Sequence, residues 1–141
     1  MDKDLNYLAI AQKAGLLVTG EENTGIAIRA GKAKLVMLAS DASENAQSRA
    51  RGFLYGRNTP LIILPRTKAE IAEAVGRSSC SMAALTDTGL AFMIASVLAE
   101  VNSDVYGETA GYLAEKKRRE AQRKTEAKSH DRNKKMGRRK K

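Results

Sequence analysis

At 141 residues the chain has room for one ordinary core and an appendage, but not for two domains. No run approaches the roughly 18 consecutive apolar residues of a membrane helix, and one cysteine and one histidine exclude an internal disulfide or a Cys/His zinc site. The formal net charge is +9, and aromatic residues are so few that aliphatic side chains and Met must build the core.

The start, "MDKDLNYL", is charged and lacks the basic-then-apolar pattern of a secretory signal, so a cytoplasmic protein is expected. "LNYLAIAQKAG" puts Leu5, Leu8, Ile10 and Ala11 near one helical face and stops at Gly15. "LLVTG" reads as a short extended piece. "EENTGIAIRAG" reads as a second helix, with acidic residues in its first turn, Arg29 in its last and Gly31 as stop. "KLVMLAS" is a continuous apolar run of strand length, the pattern of a strand covered on both faces. Asp41 with Glu44, and Thr67 with Glu70, have capping-box spacing. The first pair is expected to open "SENAQSRARGFLYG" and the second "KAEIAEAVG". Between them "PLIILP" is a β-rich run punctuated by prolines. "CSMAALT" is a further strand, and "DTGLAFMIASVLAEV" the last helix of the body, with Leu90, Ile94, Val97 and Val101 at helical spacing. Four helices thus end on Gly15, Gly31, Gly56 and Gly76. Alternation of this kind implies a small sheet with helices on both faces.

After Asn102, "NSDVYGETAG" has loop composition. "YLAEKKRREAQRKTEAK" then has helix formers and two Glu-to-basic pairs, Glu115–Arg119 and Glu120–Lys124. It reads as an extended helix or as a segment ordered on binding, with the last dozen residues expected to be disordered. The charge is concentrated here. Residues 1–115 carry 11 Lys/Arg against 13 Asp/Glu, whereas residues 116–141 carry 14 Lys/Arg against Glu120, Glu126 and Asp131. Such a block seeks a polyanion. Nucleic acid fits better than an acidic membrane, because the segment has almost no apolar face beyond Tyr112, Leu113 and Met136.

Enzymatic signals are poor. His130 lies in the basic tail, where no triad could be oriented. Cys80 precedes an apolar strand and reads as a small core residue rather than a nucleophile. Asp41 and Asp87 follow strands but look like helix caps. "GEENTG" lacks the Gly-Lys-Ser/Thr ending of a phosphate loop, and its glutamates would repel phosphate. The start of the second helix is a different case. Glu21, Glu22 and Asn23 stand beside free backbone N–H groups, where Glu accepts from exocyclic amines and Asn both accepts and donates. Arg29, Lys32 and Lys34 are expected to hold phosphate nearby. The plain alternative is that the glutamates complement the helix dipole; residue type alone leaves both open.

The order "GEENTGIAIRAGKAKLVMLASDAS", a strand ending in Pro, "TKAEIAEAVGR" and "AALTDTGLA" resembles the ribosomal L-seven-Ae/L-thirty-e family of kink-turn RNA binders, in its bacterial branch, over about residues 4–100. The resemblance implies an α/β fold, a three-layer α/β/α sandwich with a small mixed sheet, here with a basic C-terminal tail. It also implies a site built from two loops. In the family, a Gly-x-Asn-Glu-x-x-Lys pattern in the first turn of the second helix reads tandem sheared G·A pairs. Gly20 matches the glycine, Glu22 and Asn23 fill the Asn-Glu positions in reversed order, and Ile26 replaces the lysine. The second loop brings a Leu-Gly step against a flipped-out nucleotide. Ile71-Ala72 occupies that step here, preceded by Arg66, Thr67 and Lys68.

The expected division is an RNA-binding domain over residues 1–104 and a basic helical or disordered tail over 105–141. The expected function is non-enzymatic binding of structured, kink-turn-like RNA in a ribosomal or translation context. Lys116, Lys117, Arg118 and Arg119 begin the tail's phosphate contacts. No cofactor or membrane is implied; the chain is expected to be a monomer, with ribosomal proteins as further partners. The rival reading is a protein-interaction adaptor with only non-specific RNA affinity, motivated by the apolar replacements Ile26 and Ile71-Ala72. An α/β enzyme acting on a nucleotide or RNA is a third.

Overall fold

The structure is a computed structural model that describes residues 2–139, with side chains described for residues 2–128. Helices and short strands alternate: α1 (Lys3–Lys13), β1 (Leu17–Thr19), α2 (Glu21–Arg29), β2 (Leu35–Leu38), α3 (Glu44–Phe53), β3 (Leu61–Ile63), α4 (Lys68–Val75), β4 (Met82–Leu85), α5 (Thr88–Val101) and α6 (Ser103–Arg139). The strands form one mixed sheet in the order β1-β4-β2-β3. β2 pairs parallel with β3 and antiparallel with β4, and β4 pairs antiparallel with β1. Helix α1 packs on α4 and α5, α2 packs on α3, and α6 lies along α5. The result is the expected α/β/α sandwich with a small mixed sheet.

Local chemistry explains the elements. Every residue of β2 and of β4 is buried, as befits central strands covered on both faces. The capping box predicted for Thr67 and Glu70 is present at the start of α4. Asp87 caps α5 by accepting from the Leu90 amide at 2.8 Å. The four helix-ending glycines all have φ between 72° and 74°, the left-handed geometry that makes glycine the favoured stop.

Three local expectations are corrected. Asp41 and Glu44 form no capping box: Ser43 caps α3 by accepting from the Ala46 amide, and Asp41 instead accepts from the Lys68 amide at 2.8 Å, tying the α4 start to the turn after β2. On α5 the buried face runs through Ala91, Ile94, Ala95 and Leu98, one step from the expected stripe, which leaves Val101 exposed. Residues 103–111 are not a loop. They begin a helix that continues to Arg139, where the sequence reading expects no order in the last dozen residues. Tertiary burial overrides loop composition here: Tyr106 and Leu113 sit in the core, and the Tyr106 hydroxyl donates to the Ile63 carbonyl at 2.6 Å.

The register gives the sandwich two rims. Gly20 follows β1, Ser40 follows β2, Arg66 follows β3, and Ser81 precedes β4, so these segments meet at one end of the sheet. Lys34 and Pro60 precede β2 and β3, and Thr86 follows β4, at the other end. Helix α5 starts at the Lys34 rim and ends at the Gly20 rim. Helix α6 returns antiparallel beside it, with Tyr106 near the end of β3 and Glu120 accepting from the Thr88 hydroxyl at 2.9 Å.

Candidate nucleic-acid interface

Backbone hydrogen bonds stitch the Gly20 rim into one ledge. The Gly20 amide donates to Met82, Ala39 to Ser81, and Ser40 to Arg66, at 2.8–2.9 Å. Gly20 is the N-cap of α2 at φ 93°, a conformation that disfavours a side chain. Three polar side chains follow it, with different roles. Glu21 is paired with Arg49 of α3 at 3.0 Å. Glu22 is exposed and has no ion pair among the described residues. Asn23, also exposed, donates its side-chain amide to the Thr19 carbonyl at 3.1 Å, which turns its Oδ1 outward as an acceptor.

The Arg66–Lys68 loop shares this ledge, but Arg66 is turned back into the fold. Its Nε and Nη2 grip both oxygens of Asp4 at 3.0 Å, and Nη2 also meets Asp2 at 3.1 Å. Asp4 is the one buried carboxylate among the described residues, and this fork ties the loop to α1. The hydrogen bond to Asp4 holds the guanidinium further above its ordinary value, against the opposing effect of desolvation. Thr67 is occupied by its capping box. Cys80 is buried below the ledge, where desolvation pushes its thiol up, opposed in part by the Gly20 and Met82 backbone and by Arg77. That environment matches the core reading rather than a nucleophile.

At the Lys34 rim, Lys34 faces Tyr112, Lys116, Arg119 and Arg123 of α6 across a groove of about 370 Å³ that Glu115 and Glu120 also line. Glu115 accepts from Arg118 at 2.6 Å and from Arg119 at 3.3 Å, so one of the two predicted helix pairs is present. Hydrogen bonding to Arg118 draws the Glu115 carboxyl below its ordinary value. The other predicted pair is replaced, because Glu120 turns inward to Thr88. Lys117 lies over the Phe92 ring, 5.1 Å from its centroid, and so leans on α5.

Residues 3–92 match the ribosomal protein L7Ae/L30e/S12e/Gadd45 family. The chain belongs to that family. Among its relatives, "RNA-binding protein YlxQ" of Enterococcus faecium is 39% identical over 75 residues, which are 53% of this chain and 72% of the relative. Among solved structures, a protein of unknown function from Bacillus halodurans C superposes with a TM-score of 0.63 at 25% identity, covering 68% of this chain and 96% of that one. The Giardia lamblia 15.5kD RNA binding protein has the same fold, with a TM-score of 0.55 at 17% identity over 70% of this chain and 84% of that one.

Set on this L7Ae/L30e fold, the expected contact residues separate into three groups. Gly20, Glu22, Asn23, Thr67 and Lys68 do share the Gly20 rim. Ile26 is half-exposed on the outer side of α2, in line with Glu22 one turn before it. Ile71 and Ala72, each only 2% exposed, are core. Helix α4 points their side chains inward, Ile71 toward Leu8, Met37 and Leu64.

Arg29 and Lys34 lie in different surroundings. Helix α2 rises about 12 Å from Glu21 to Arg29, yet the Arg29 side chain lines one pocket with Glu21, Glu22, Arg49 and Phe53, whereas Lys34 stands before β2 at the other rim. Arg29 covers the Phe53 ring at 5.9 Å, and Lys34 joins Lys116 and Arg119. Arg118 and Arg119 are engaged with Glu115. Sequence reasoning missed Arg77, which stands beside Cys80 at the ledge. It also missed Tyr112 and Arg123 as partners of Lys34. No local pattern announces a contact between residues some 80–90 positions apart.

No helix among the described residues is long and apolar enough to cross a membrane.

Proposed function

We propose that the chain is a non-enzymatic RNA-binding protein whose Gly20 rim recognises structured, kink-turn-like RNA. The observation that carries this reading is the start of α2. In a chain of the L7Ae/L30e family, Glu22 and Asn23 stand exposed on the same rim as the Arg66–Lys68 loop, with Asn23 held by Thr19 and Glu22 in no ion pair among the described residues. Glu22 accepts from exocyclic amines, and Asn23 Oδ1 accepts a further base-edge donor. The ledge between them and Lys68 is backbone, which admits a close approach. That the Enterococcus relative is an RNA-binding protein supports RNA as the partner. Lys68 and Arg77 at the ledge, and Arg29 in the pocket that Glu22 lines, are the cations we expect to meet phosphate here, and the basic helix α6 is expected to add affinity that carries no sequence information. The setting that fits is the cytoplasm and its structured ribonucleoproteins.

The test compares a kink-turn RNA with a straight stem of equal length, in moderate salt with a divalent cation. Replacing Glu22 and Asn23 by Ala is expected to reduce the preference for the kinked RNA more than total binding. Equal loss on both RNAs removes the base-reading role. If the wild-type chain shows no preference and instead captures a ribosomal protein, the adaptor reading takes its place.

A further inference from the structure

We propose that the groove at the Lys34 rim is a second RNA surface, which holds the phosphate backbone of a double-helical segment independently of the Gly20 rim. The inference rests on the RNA-binding reading above and extends it to a different part of the molecule.

Four observations carry it. First, the groove is built from two distant parts of the chain, the turn before β2 and the middle of α6. Second, α6 is locked there by the core: Leu113 is fully buried, Lys117 leans on Phe92, and Glu120 bonds Thr88. Tyr112, Lys116, Arg119 and Arg123 recur at helical spacing and so form one stripe opposite Lys34. The backbone that carries the cations is therefore already ordered before they bind, and only side-chain freedom is lost. Third, the acidic residues of the groove are already engaged, Glu120 by Thr88 and Glu115 by Arg118 and Arg119. Among the described residues, no ion pair holds Lys34, Lys116 or Arg123. Fourth, the two rims face opposite ways, and α6 runs on from Glu120 to Arg139, about 28 Å further, away from Glu22 and Asn23.

The partner follows from this geometry. From Lys116 to Arg123 the stripe spans about 10 Å. A nucleic-acid duplex presents about one phosphate charge per 1.7 Å of axis, so several phosphates fall within that length. From Ala114 to Lys135 the helix sequence contains no apolar residue larger than alanine, so it has no face to sink into a lipid surface. Because the rims are opposed, one straight duplex cannot touch both. A single chain would hold two RNA segments, or the two arms of one sharply bent RNA.

The test uses the full chain with three probes: a kink-turn RNA, a blunt 16-base-pair RNA duplex, and vesicles of mixed phosphatidylserine and phosphatidylcholine. One variant combines Lys34→Glu, Arg119→Glu and Arg123→Glu. A second uses Gln at the same positions and guards against a folding defect. The wild-type chain is expected to bind the duplex and to form a ternary complex with both RNAs. Both variants should weaken duplex binding at least tenfold near 150 mM salt and flatten its log–log salt slope by about three. Affinity for the kink-turn RNA should fall far less, so that the kinked-to-straight preference rises. Unchanged duplex binding overturns the proposal, as does competition of the two RNAs for one site, or vesicle binding that exceeds duplex binding. Duplex binding that the variants lose, in a chain with no kink preference, overturns the reading of the Gly20 rim and leaves this one standing. Binding of neither RNA overturns both.

Discussion

Replacing Arg66 separates a scaffold from a contact. The family resemblance places Arg66 in an RNA-binding loop, yet its guanidinium forks both oxygens of Asp4 and reaches Asp2 and Glu70 as well. Arg66→Ala leaves the buried Asp4 carboxylate without its partner. Breaking a buried pair from one side costs about 3–5 kcal/mol. Because the Arg66 side chain keeps 21% of its exposure, solvent screens part of that, and about 2–3 kcal/mol is the expected loss. At roughly 3 °C per kcal/mol for a chain of this size, thermal unfolding should shift down by about 6–9 °C. Asp4→Ala added to Arg66→Ala should cost less than the sum of the two single changes, since the second removes a charge already stranded. Arg66→Lys discriminates best: a lysine preserves a phosphate contact but cannot reproduce the fork, so it should recover less than half of the stability. Measured well below the unfolding transition, kinked-RNA affinity should change less than threefold in every variant. An Arg66→Ala protein of unchanged stability that loses tenfold or more in RNA affinity, with rescue by lysine, would refute the assignment.

Other consequences follow from single contacts. Gly25→Ala places a Cβ 2.9 Å from the Phe53 ring; overpacking should cost about 1–3 kcal/mol in a urea melt, and Phe53→Leu should recover part of it. Thr24→Val should raise stability by about 1 kcal/mol, because the buried Thr24 hydroxyl has no hydrogen-bond partner among the described residues; a loss of stability would mean the hydroxyl has found one. Leu113→Ala should cost about 2–4 kcal/mol, whereas removing residues 125–141 should leave the melt unchanged, which would divide α6 into a core half and a free half. The Cys80 thiol, raised by burial, should resist iodoacetamide at pH 8 in the folded chain and react on unfolding. Its preference for the neutral form stabilises the fold below the ordinary thiol value of 9.0 and is lost as pH rises through the higher folded value. Stability measured against Cys80→Ala should therefore converge above pH 9.

What the sequence disclosed, and what it hid, divides by the range of the forces involved. Strands β1 to β4 and the glycine stops were readable because alternation, burial of "LVML" and left-handed glycines are settled within a few residues. The Thr67–Glu70 box and the Asp87 cap were readable for the same reason. Asp41 misled because its carboxylate had two backbone amides within reach, and the winner, Lys68, belongs to another helix 27 positions on. "NSDVYGETAG" misled because one hydrogen bond from Tyr106 to Ile63 and the burial of Leu113 outweigh weak helix propensity. Sequence distance is a poor guide to surface distance. Asn23 and Lys34 are near in sequence, but α2 lies between them and Lys34 stands at the other end of the sheet. Lys34 and Arg119 are 85 positions apart, yet they line one groove because α5 and α6 fold back along the sandwich. A basic tail added to a base-reading rim suggests one larger site; the helix that carries the tail points its charge the other way. On the proposed reading, with isoleucine at position 26, the Gly20 rim is expected to discriminate with Glu22, Asn23 and the backbone ledge, beside Arg29 and Arg49 in the pocket that Glu22 lines, and a chain lacking residues 125–141 should lose affinity without losing selectivity.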